Sequence, residues 1–143
     1  MSAAAPAAPP IVWLPTFDIG VADIDLQHRY FANLINRLAE DFQTVLDPSL
    51  RLALLAELNA YARFHFLSEE NLMARAGYPA LAAHRGHHLQ LIDELSHREG
   101  RMLLGGDTAD AGPVLAFLVQ WFLTHTLHED RQFADFLQRP VPA

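Results

Sequence analysis

Residues 61–88, YARFHFLSEENLMARAGYPALAAHRGHH, decide the fold of this chain. They place His65 and Glu69 four residues apart and, beyond a Gly-Tyr-Pro turn, His84 and His88 four residues apart. Side chains four residues apart project from one face of an α-helix. The turn allows two helices to fold back on each other, so we expect the two pairs to meet. Imidazole and carboxylate groups that face each other between helices suit a transition metal.

Apolar residues recur at three- and four-residue steps on both sides of this stretch, which predicts four helices. We expect the first helix to begin near Asp23 or Asp25, either of which can cap its free amide groups. It should end before Asp47-Pro48. Asp47 is expected to cap the second helix, with Pro48 at its first position. Gly77 is a typical residue to end that second helix.

Glycine and proline also delimit the remaining helices. The third is expected over about residues 80–104, followed by a polar loop, and the fourth opens at Pro113 and ends in a short amphipathic tail. Close approach of a neighbouring helix is one explanation for Gly86 inside the third helix. The pattern predicts an all-α, up-down-up-down antiparallel four-helix bundle over residues 13–138. Residues 1–12, rich in alanine and proline, are expected to form a flexible, extended arm.

Composition narrows the possible classes of protein. A chain of 143 residues is long enough for one domain with a substantial core. Its net charge of -7 argues against a nucleic-acid partner and a polybasic membrane anchor. It has no cysteine, which excludes disulfides, thiolate zinc sites and iron–sulfur clusters. No apolar run approaches the roughly 20 residues of a membrane span, and no signal-peptide pattern opens the sequence, so a cytoplasmic protein is expected.

The histidines indicate what the bundle holds. Five of the eight, with two acids, fall on the predicted inner faces, whereas His87, His97 and His128 fall elsewhere and are interpreted as solvated or packing residues. Seven ligands exceed what one metal can bind, so the set predicts two metals bridged by carboxylates. Nitrogen and oxygen ligands with one open position suit iron better than structural zinc. The candidate ligands are His28, His65, Glu69, His84, His88, His125 and an acid that follows His125.

A cluster without metal is the alternative. A single inward histidine is more often a hydrogen-bonded core residue than a ligand. Five such histidines and two acids would leave several polar groups desolvated, at about 1–3 kcal/mol each. A metal site is therefore the favoured interpretation.

The acid on the fourth helix remains open from geometry alone. Glu129 lies four residues after His125, and Asp130 lies five residues after it. At about 100° per residue, Asp130 would point about 140° away from His125 on a regular helix. Regular geometry therefore favours Glu129. A π-helical turn, common at functional sites, would bring Asp130 into line instead.

From about Trp13 to Asp135 the chain resembles the hemerythrins, in particular the single-domain bacterial forms. Their order and spacing make the motifs that carry the resemblance highly specific. These motifs are Asp25-Leu26-Gln27-His28, His65-Phe66-x-x-Glu69-Glu70 with Met73 and Gly77-Tyr78-Pro79, His84-x-x-x-His88, and Trp121-x-x-x-His125-x-x-x-x-Asp130.

The resemblance implies a non-haem di-iron centre, with an oxo or hydroxo bridge, that binds O₂ reversibly. It also selects Asp130 over Glu129 and His88 over His87. O₂ is expected at the five-coordinate iron, with NO and other small molecules as further candidate ligands. By the family pattern one iron takes His84, His88 and His125, the other takes His28 and His65, and Glu69 and Asp130 bridge them.

Three residues on the fourth helix are expected to line the O₂ pocket: Trp121, Phe122 and Thr126. The family commonly has leucine at the position of Phe122 and isoleucine at the position of Thr126. The resemblance therefore implies narrower access beside Phe122 and easier entry of water beside Thr126.

Three functions are compatible with such a bundle. The first is O₂ binding for storage, delivery or sensing, and the second is an enzyme that reduces peroxide, O₂ or nitric oxide at the same centre. The third is an interaction module that holds zinc or no metal. The complete ligand set disfavours the third. No positioned acid or nucleophile that would cleave the O–O bond is evident, so O₂ binding by a monomer, as is frequent in bacterial hemerythrins, is the function we expect.

Overall fold

The computed structural model describes residues 9–44, 47–105 and 112–139. Four long helices are present, and a π-helical turn joins the last of them to a short fifth helix. The described residues contain no strand. The prediction of an all-α four-helix bundle is thus confirmed. The elements are α1 (Ala22–Thr44), α2 (Pro48–Ala76), α3 (Leu81–Gly105), α4 (Gly112–Thr124), the π-helical turn His125–Glu129 and α5 (Asp130–Leu137).

Both ends of α2 are those predicted. The Asp47 side chain accepts a hydrogen bond from the amide of Ser49 at 2.9 Å, which satisfies one free donor of the first turn. Gly77 has φ +66°, and the next amide, of Tyr78, donates to the carbonyl of Met73 at 2.9 Å. This arrangement ends the helix and turns the chain toward α3.

The predicted N-terminal cap of α1 is wrong. The helix begins at Ala22, so Asp23 and Asp25 lie inside its first turn. The Asp25 carboxylate instead accepts from the amides of Ile19 and Gly20, at 2.7 and 3.1 Å. Because it binds the preceding loop, Asp25 fixes how the N-terminal segment enters the bundle.

The N-terminal segment packs along the bundle. Ile11 is buried, and its amide and carbonyl pair with the side chain of Asn36 at 2.9 and 2.8 Å. The Trp13 ring lies edge-on to Phe17, 5.3 Å between centroids. Residues 1–8 of the predicted arm lie outside the described residues, and the domain boundary at residue 12 stays a prediction.

Two apolar clusters enclose a polar layer. The larger one fills the bundle with side chains such as Phe31, Leu55, Leu95 and Phe122. On α1 and on the fourth helix, candidate ligands fall in sequence between residues of the two clusters, so the polar layer lies between them. The smaller cluster consists of Ile19, Ile24, Met73, Phe133 and Ala134.

Two further expectations concern α3 and the segment after it. A Cβ atom at Gly86 would meet no neighbouring atom within 4 Å, so close approach of another helix is wrong as the reason for this glycine. Most of the polar loop predicted after α3 lies outside the described residues. None of the helices in the described ranges is long and apolar enough to cross a membrane.

Candidate metal centre

The structure brings all seven predicted ligand side chains into one buried cluster. None of them is more than 3% exposed. Every long helix or its direct continuation contributes at least one of them. They are His28 from α1, His65 and Glu69 from α2, His84 and His88 from α3, His125 from the π-helical turn and Asp130 from the start of α5.

Regular helical geometry accounts for most of these positions. His28 follows Ile24 by four residues and precedes Phe31 by three, so it shares the buried stripe of α1. On α2 and α3 the ligands lie one turn apart, and the turn after Gly77 lets the two helices pack side by side.

Glu69 lies at the middle of the cluster. Its Oε1 atom is 3.2 Å from Nε2 of His88 and 3.6 Å from Nε2 of His84. Its Oε2 atom is 3.4 Å from Nε2 of His65 and 3.7 Å from Nε2 of His28. One carboxylate oxygen therefore faces each half of the cluster.

Asp130 divides its oxygens in the same way. Its Oδ1 atom is 2.9 Å from Nε2 of His84 and 3.0 Å from Nε2 of His125. Its Oδ2 atom is 2.9 Å from Nε2 of His28. Both carboxylates thus lie between the imidazoles of α1 and those of α3 and the fourth helix.

These atoms form two groups, each able to hold one metal ion. Within each group, one ligand atom from every residue lies within 4.8 Å of the others. Glu69 belongs to both groups, as a bridging carboxylate requires. The three-histidine group is Glu69, His84, His88 and His125, and the two-histidine group is His28, His65, Glu69 and Asp130.

The π-helical turn explains why Asp130 reaches the cluster. The amide of Asp130 donates to the carbonyl of His125, five residues earlier. The wider turn places Asp130 on the same face as His125, where a regular helix would place Glu129. The expectation from regular geometry, that Glu129 faces inward, is wrong because the helix is not regular here.

Three residues next to candidate ligands in sequence lie behind histidines of the cluster, a position that the sequence did not predict for any of them. Each accepts a hydrogen bond from the outer nitrogen, Nδ1, of a histidine, which fixes the ring so that Nε2 points inward. Gln27 and Glu70 stand in the motifs quoted above and Glu129 was an alternative ligand, but nothing in the sequence indicated that they bind the outer nitrogens. The pairs are His65 with Gln27 at 2.7 Å, His88 with Glu70 at 2.8 Å and His125 with Glu129 at 2.8 Å.

The remaining histidines lie outside the cluster. His97 and His128 are exposed. His87 is also exposed, and its Nδ1 lies 2.9 Å from Oε2 of Glu129. None of the three reaches the inner carboxylates.

The three residues expected to line an O₂ pocket lie against different parts of the cluster. The buried Phe122 ring lies 6.1 Å from the ring of His28. Trp121 stacks on the ring of His125 at 4.6 Å and lines a surface cavity of about 270 Å³. Thr126 is buried. Their role in an O₂ pocket stays a prediction.

Burial and neighbouring charges act in opposite directions on the pKa values of the clustered side chains. Burial lowers the pKa of His65 to about 4. Burial also acts to lower the pKa of His28, but its contacts with Asp130 and Glu69 raise it to about 9. Although burial acts to raise the pKa of Glu69 and of Asp130, the surrounding imidazoles hold the pKa of both carboxyls below their usual range. Both inner acids are therefore carboxylates at neutral pH, as metal ligands must be.

Unpartnered polar atoms show that the residues fit a metal pair. Both oxygens of Glu69, Oδ2 of Asp130 and Nε2 of His28 are buried with no hydrogen-bond donor or acceptor in suitable geometry among the described residues. Buried charged groups that lack well-oriented hydrogen bonds cost roughly several kcal/mol, and a cation bound between these atoms would remove that cost. Imidazole nitrogens and carboxylate oxygens without thiolate suit iron.

Comparisons with known proteins agree with this geometry. The family described as "Hemerythrin HHE cation binding domain" matches residues 19–137. The bacteriohemerythrin of Stenotrophomonas maltophilia (strain R551-3) is 32% identical over 125 residues, covering 87% of this chain and 80% of that protein. The bacteriohemerythrin of Pseudomonas aeruginosa (strain UCBPP-PA14) is 30% identical over 131 residues, covering 92% and 84%.

Solved structures show the same fold. A crystal structure of wild-type hemerythrin superimposes with a TM-score of 0.80 at 25% identity, covering 90% of this chain and 98% of that one. A hemerythrin with a leucine-to-alanine substitution superimposes with a TM-score of 0.82 at 24% identity, covering 92% and 100%. The motifs, the buried cluster and these matches together show that the chain belongs to the hemerythrin family.

Proposed function

We propose that this protein binds O₂ reversibly at a di-iron centre held by the two ligand groups. One observation carries the proposal: this member of the hemerythrin family has a buried cluster of five imidazoles and two carboxylates that divides into two possible metal sites. The ligands are His28, His65, Glu69, His84, His88, His125 and Asp130. When bound, the two irons supply the electrons on which reversible O₂ binding depends.

The two ligand groups are unequal in a way that favours binding of a small molecule at one of them. The three-histidine group provides three imidazoles, whereas His28 and His65 are the only imidazoles of the other group. Because Asp130 also faces the three-histidine group through Oδ1, both carboxylates can serve both groups, and the two-histidine group then has one side-chain ligand fewer. That difference leaves an open position for an external ligand. That ligand would bind on the side of the cluster that packs against α1.

Apolar side chains keep this side dry. Phe122 is 1% exposed and lies edge-on to His28, and Phe31 is 1% exposed and lies 6.1 Å from the ring of His65. Excluding water from the site limits the supply of protons to a reduced oxygen species. Limited protonation favours release of O₂ unchanged, which distinguishes a carrier from a reductase.

The test is to purify the protein, measure iron per chain and record its absorption spectrum reduced, aerated and again under vacuum. We expect about two irons per chain, and a charge-transfer band that appears with air and disappears with its removal. Zinc, or fewer than one iron per chain, would contradict the di-iron centre. Rapid decay of the oxygenated protein with catalytic consumption of reductant would instead establish an enzyme.

The physiological role of O₂ binding is a more specific question than O₂ binding itself. Storage, delivery and sensing all require reversible binding, and the same cluster supports each of them. The monomeric state and the cytoplasmic location expected from the sequence stay predictions.

A further inference from the structure

Two of the histidines in the three-histidine group, His88 and His125, have carboxylates behind them. Nδ1 of His88 donates to Oε2 of Glu70 at 2.8 Å, and Nδ1 of His125 donates to Oε2 of Glu129 at 2.8 Å. Each of these two imidazoles thus lies between the metal position and a negative charge.

The histidines of the two-histidine group have no such charge behind them. Nδ1 of His65 donates to the amide oxygen of Gln27 at 2.7 Å. The other end of the Gln27 amide, Nε2, donates to Oγ of Ser68 at 3.0 Å. Nδ1 of His28 is buried and has no hydrogen-bond partner in the described part of the chain. In this group, therefore, His65 has a neutral acceptor behind it and His28 has none.

Other side chains also contact these two carboxylates. Nε of Arg85 donates to Glu70 at 3.2 Å, but the Arg85 side chain is 55% exposed, so solvent screens the pair. His87 contacts Glu129 at the surface, where its side chain is 47% exposed. Arg85 contacts Oε1 of Glu70 and leaves Oε2 to His88, whereas His87 shares Oε2 of Glu129 with His125. Both carboxylates therefore keep their contact with an imidazole of the three-histidine group.

A carboxylate that accepts the outer proton of a metal-bound imidazole makes the imidazole a stronger donor, which favours the higher metal charge. We propose that Glu70 and Glu129 are positioning residues that stabilise the trivalent state of iron in the three-histidine group. The two irons then have unequal reduction potentials. In half-reduced protein the ferrous ion occupies the two-histidine group, which carries the open position. This inference rests on the proposed di-iron centre and goes beyond it, since O₂ binding alone requires no such asymmetry.

The test measures the two one-electron reduction potentials of the iron-loaded protein by spectroelectrochemistry, with no O₂ present. We expect a preference of at least about tenfold between the two positions, which requires a gap of at least about 59 mV. Because two interacting irons take up electrons in separate steps even at equivalent positions, the response of each potential to the variants assigns the preference. Glu70→Gln with Glu129→Gln should raise the lower potential and narrow the gap, and each single substitution should do so in part. Gln27→Glu puts a carboxylate behind His65 and should narrow the gap from the other side, by lowering the higher potential.

The control is Glu57→Gln, which removes one exposed carboxylate of α2 that pairs with Arg37 at the surface. It should leave both potentials unchanged. A wild-type gap below 59 mV, equal shifts of both potentials in the glutamine variants, or loss of iron from Glu129→Gln would each overturn the inference. Iron content and reversible O₂ binding are measured separately from the potentials. If the protein holds two irons but does not bind O₂ reversibly, the measured potentials still test this inference.

Discussion

α2 and the region after α4 each supply an inner and an outer carboxylate, but in opposite order. On α2 the inner acid, Glu69, comes first, and the next residue, Glu70, binds a histidine from outside. After α4 the outer acid, Glu129, comes first, and the inner acid, Asp130, follows it. The first acid of each pair is thus the inner one on α2 and the outer one after α4.

The difference shows that backbone geometry selects the ligand from two adjacent acids. On regular α2 the fourth residue after a histidine returns to its face. In the π-helical turn the fifth residue does so, because the turn holds one residue more. That extra residue leaves Glu129 beside the outer edge of His125 while Asp130 reaches the inner edge. The wider turn therefore supplies two carboxylates to one histidine.

The largest effect is expected from removing the inner acid after α4. Asp130→Ala takes away a carboxylate whose oxygens face both ligand groups, so we expect loss of at least one of about two irons per chain. The matched control, Glu129→Ala, removes only the outer hydrogen bond. It should weaken iron binding by about tenfold, but keep both irons when iron is in excess. Metal analysis after desalting measures both. The opposite pattern would show that the turn is regular in solution.

A deletion tests the turn itself. His128 is an exposed residue of the π-helical turn, and removing it would place Asp130 four residues after His125 on a regular helix. We expect this variant to keep both irons, because the inner carboxylate stays on the histidine's face. It should lose the Glu129 hydrogen bond, since that acid would rotate away by about 100°. Metal analysis and helical circular dichroism would measure the result.

The control deletion lies on α2. Leu67 is 60% exposed and lies between His65 and Glu69. Because α2 is regular, its removal rotates every later residue by about 100° and carries Glu69 off the cluster. This variant should lose iron or fail to fold. Equal behaviour of the two deletions would contradict the contrast between the regular and the widened helix.

Sequence spacing predicted the parts of the site that depend on regular helices. The pairs on α2 and α3 follow from four-residue spacing, and the ends of α2 follow from local residues such as Asp47 and Gly77. Asp130 did not follow from spacing, because a shift of backbone hydrogen bonds by one residue depends on packing, and only the family motif indicated it. The contact of Gln27 with His65 joins positions 38 residues apart and required the packed bundle.

The smallest effect is expected on α3, which supplies only imidazoles to the cluster and carries Gly86 between them. A methyl group there would meet no neighbouring atom, so Gly86→Ala should stabilise the helix by about 1 kcal/mol and raise Tm by about 3 °C. Gly77→Ala is the control, because φ +66° strains any residue with a Cβ, and it should lower Tm instead. Iron content should stay the same in Gly86→Ala. A lower Tm or a lower iron content in Gly86→Ala would mean that the cluster needs a flexible α3. In that case the bound metals, and not the sequence of α3, would make this helix regular, in contrast to α2.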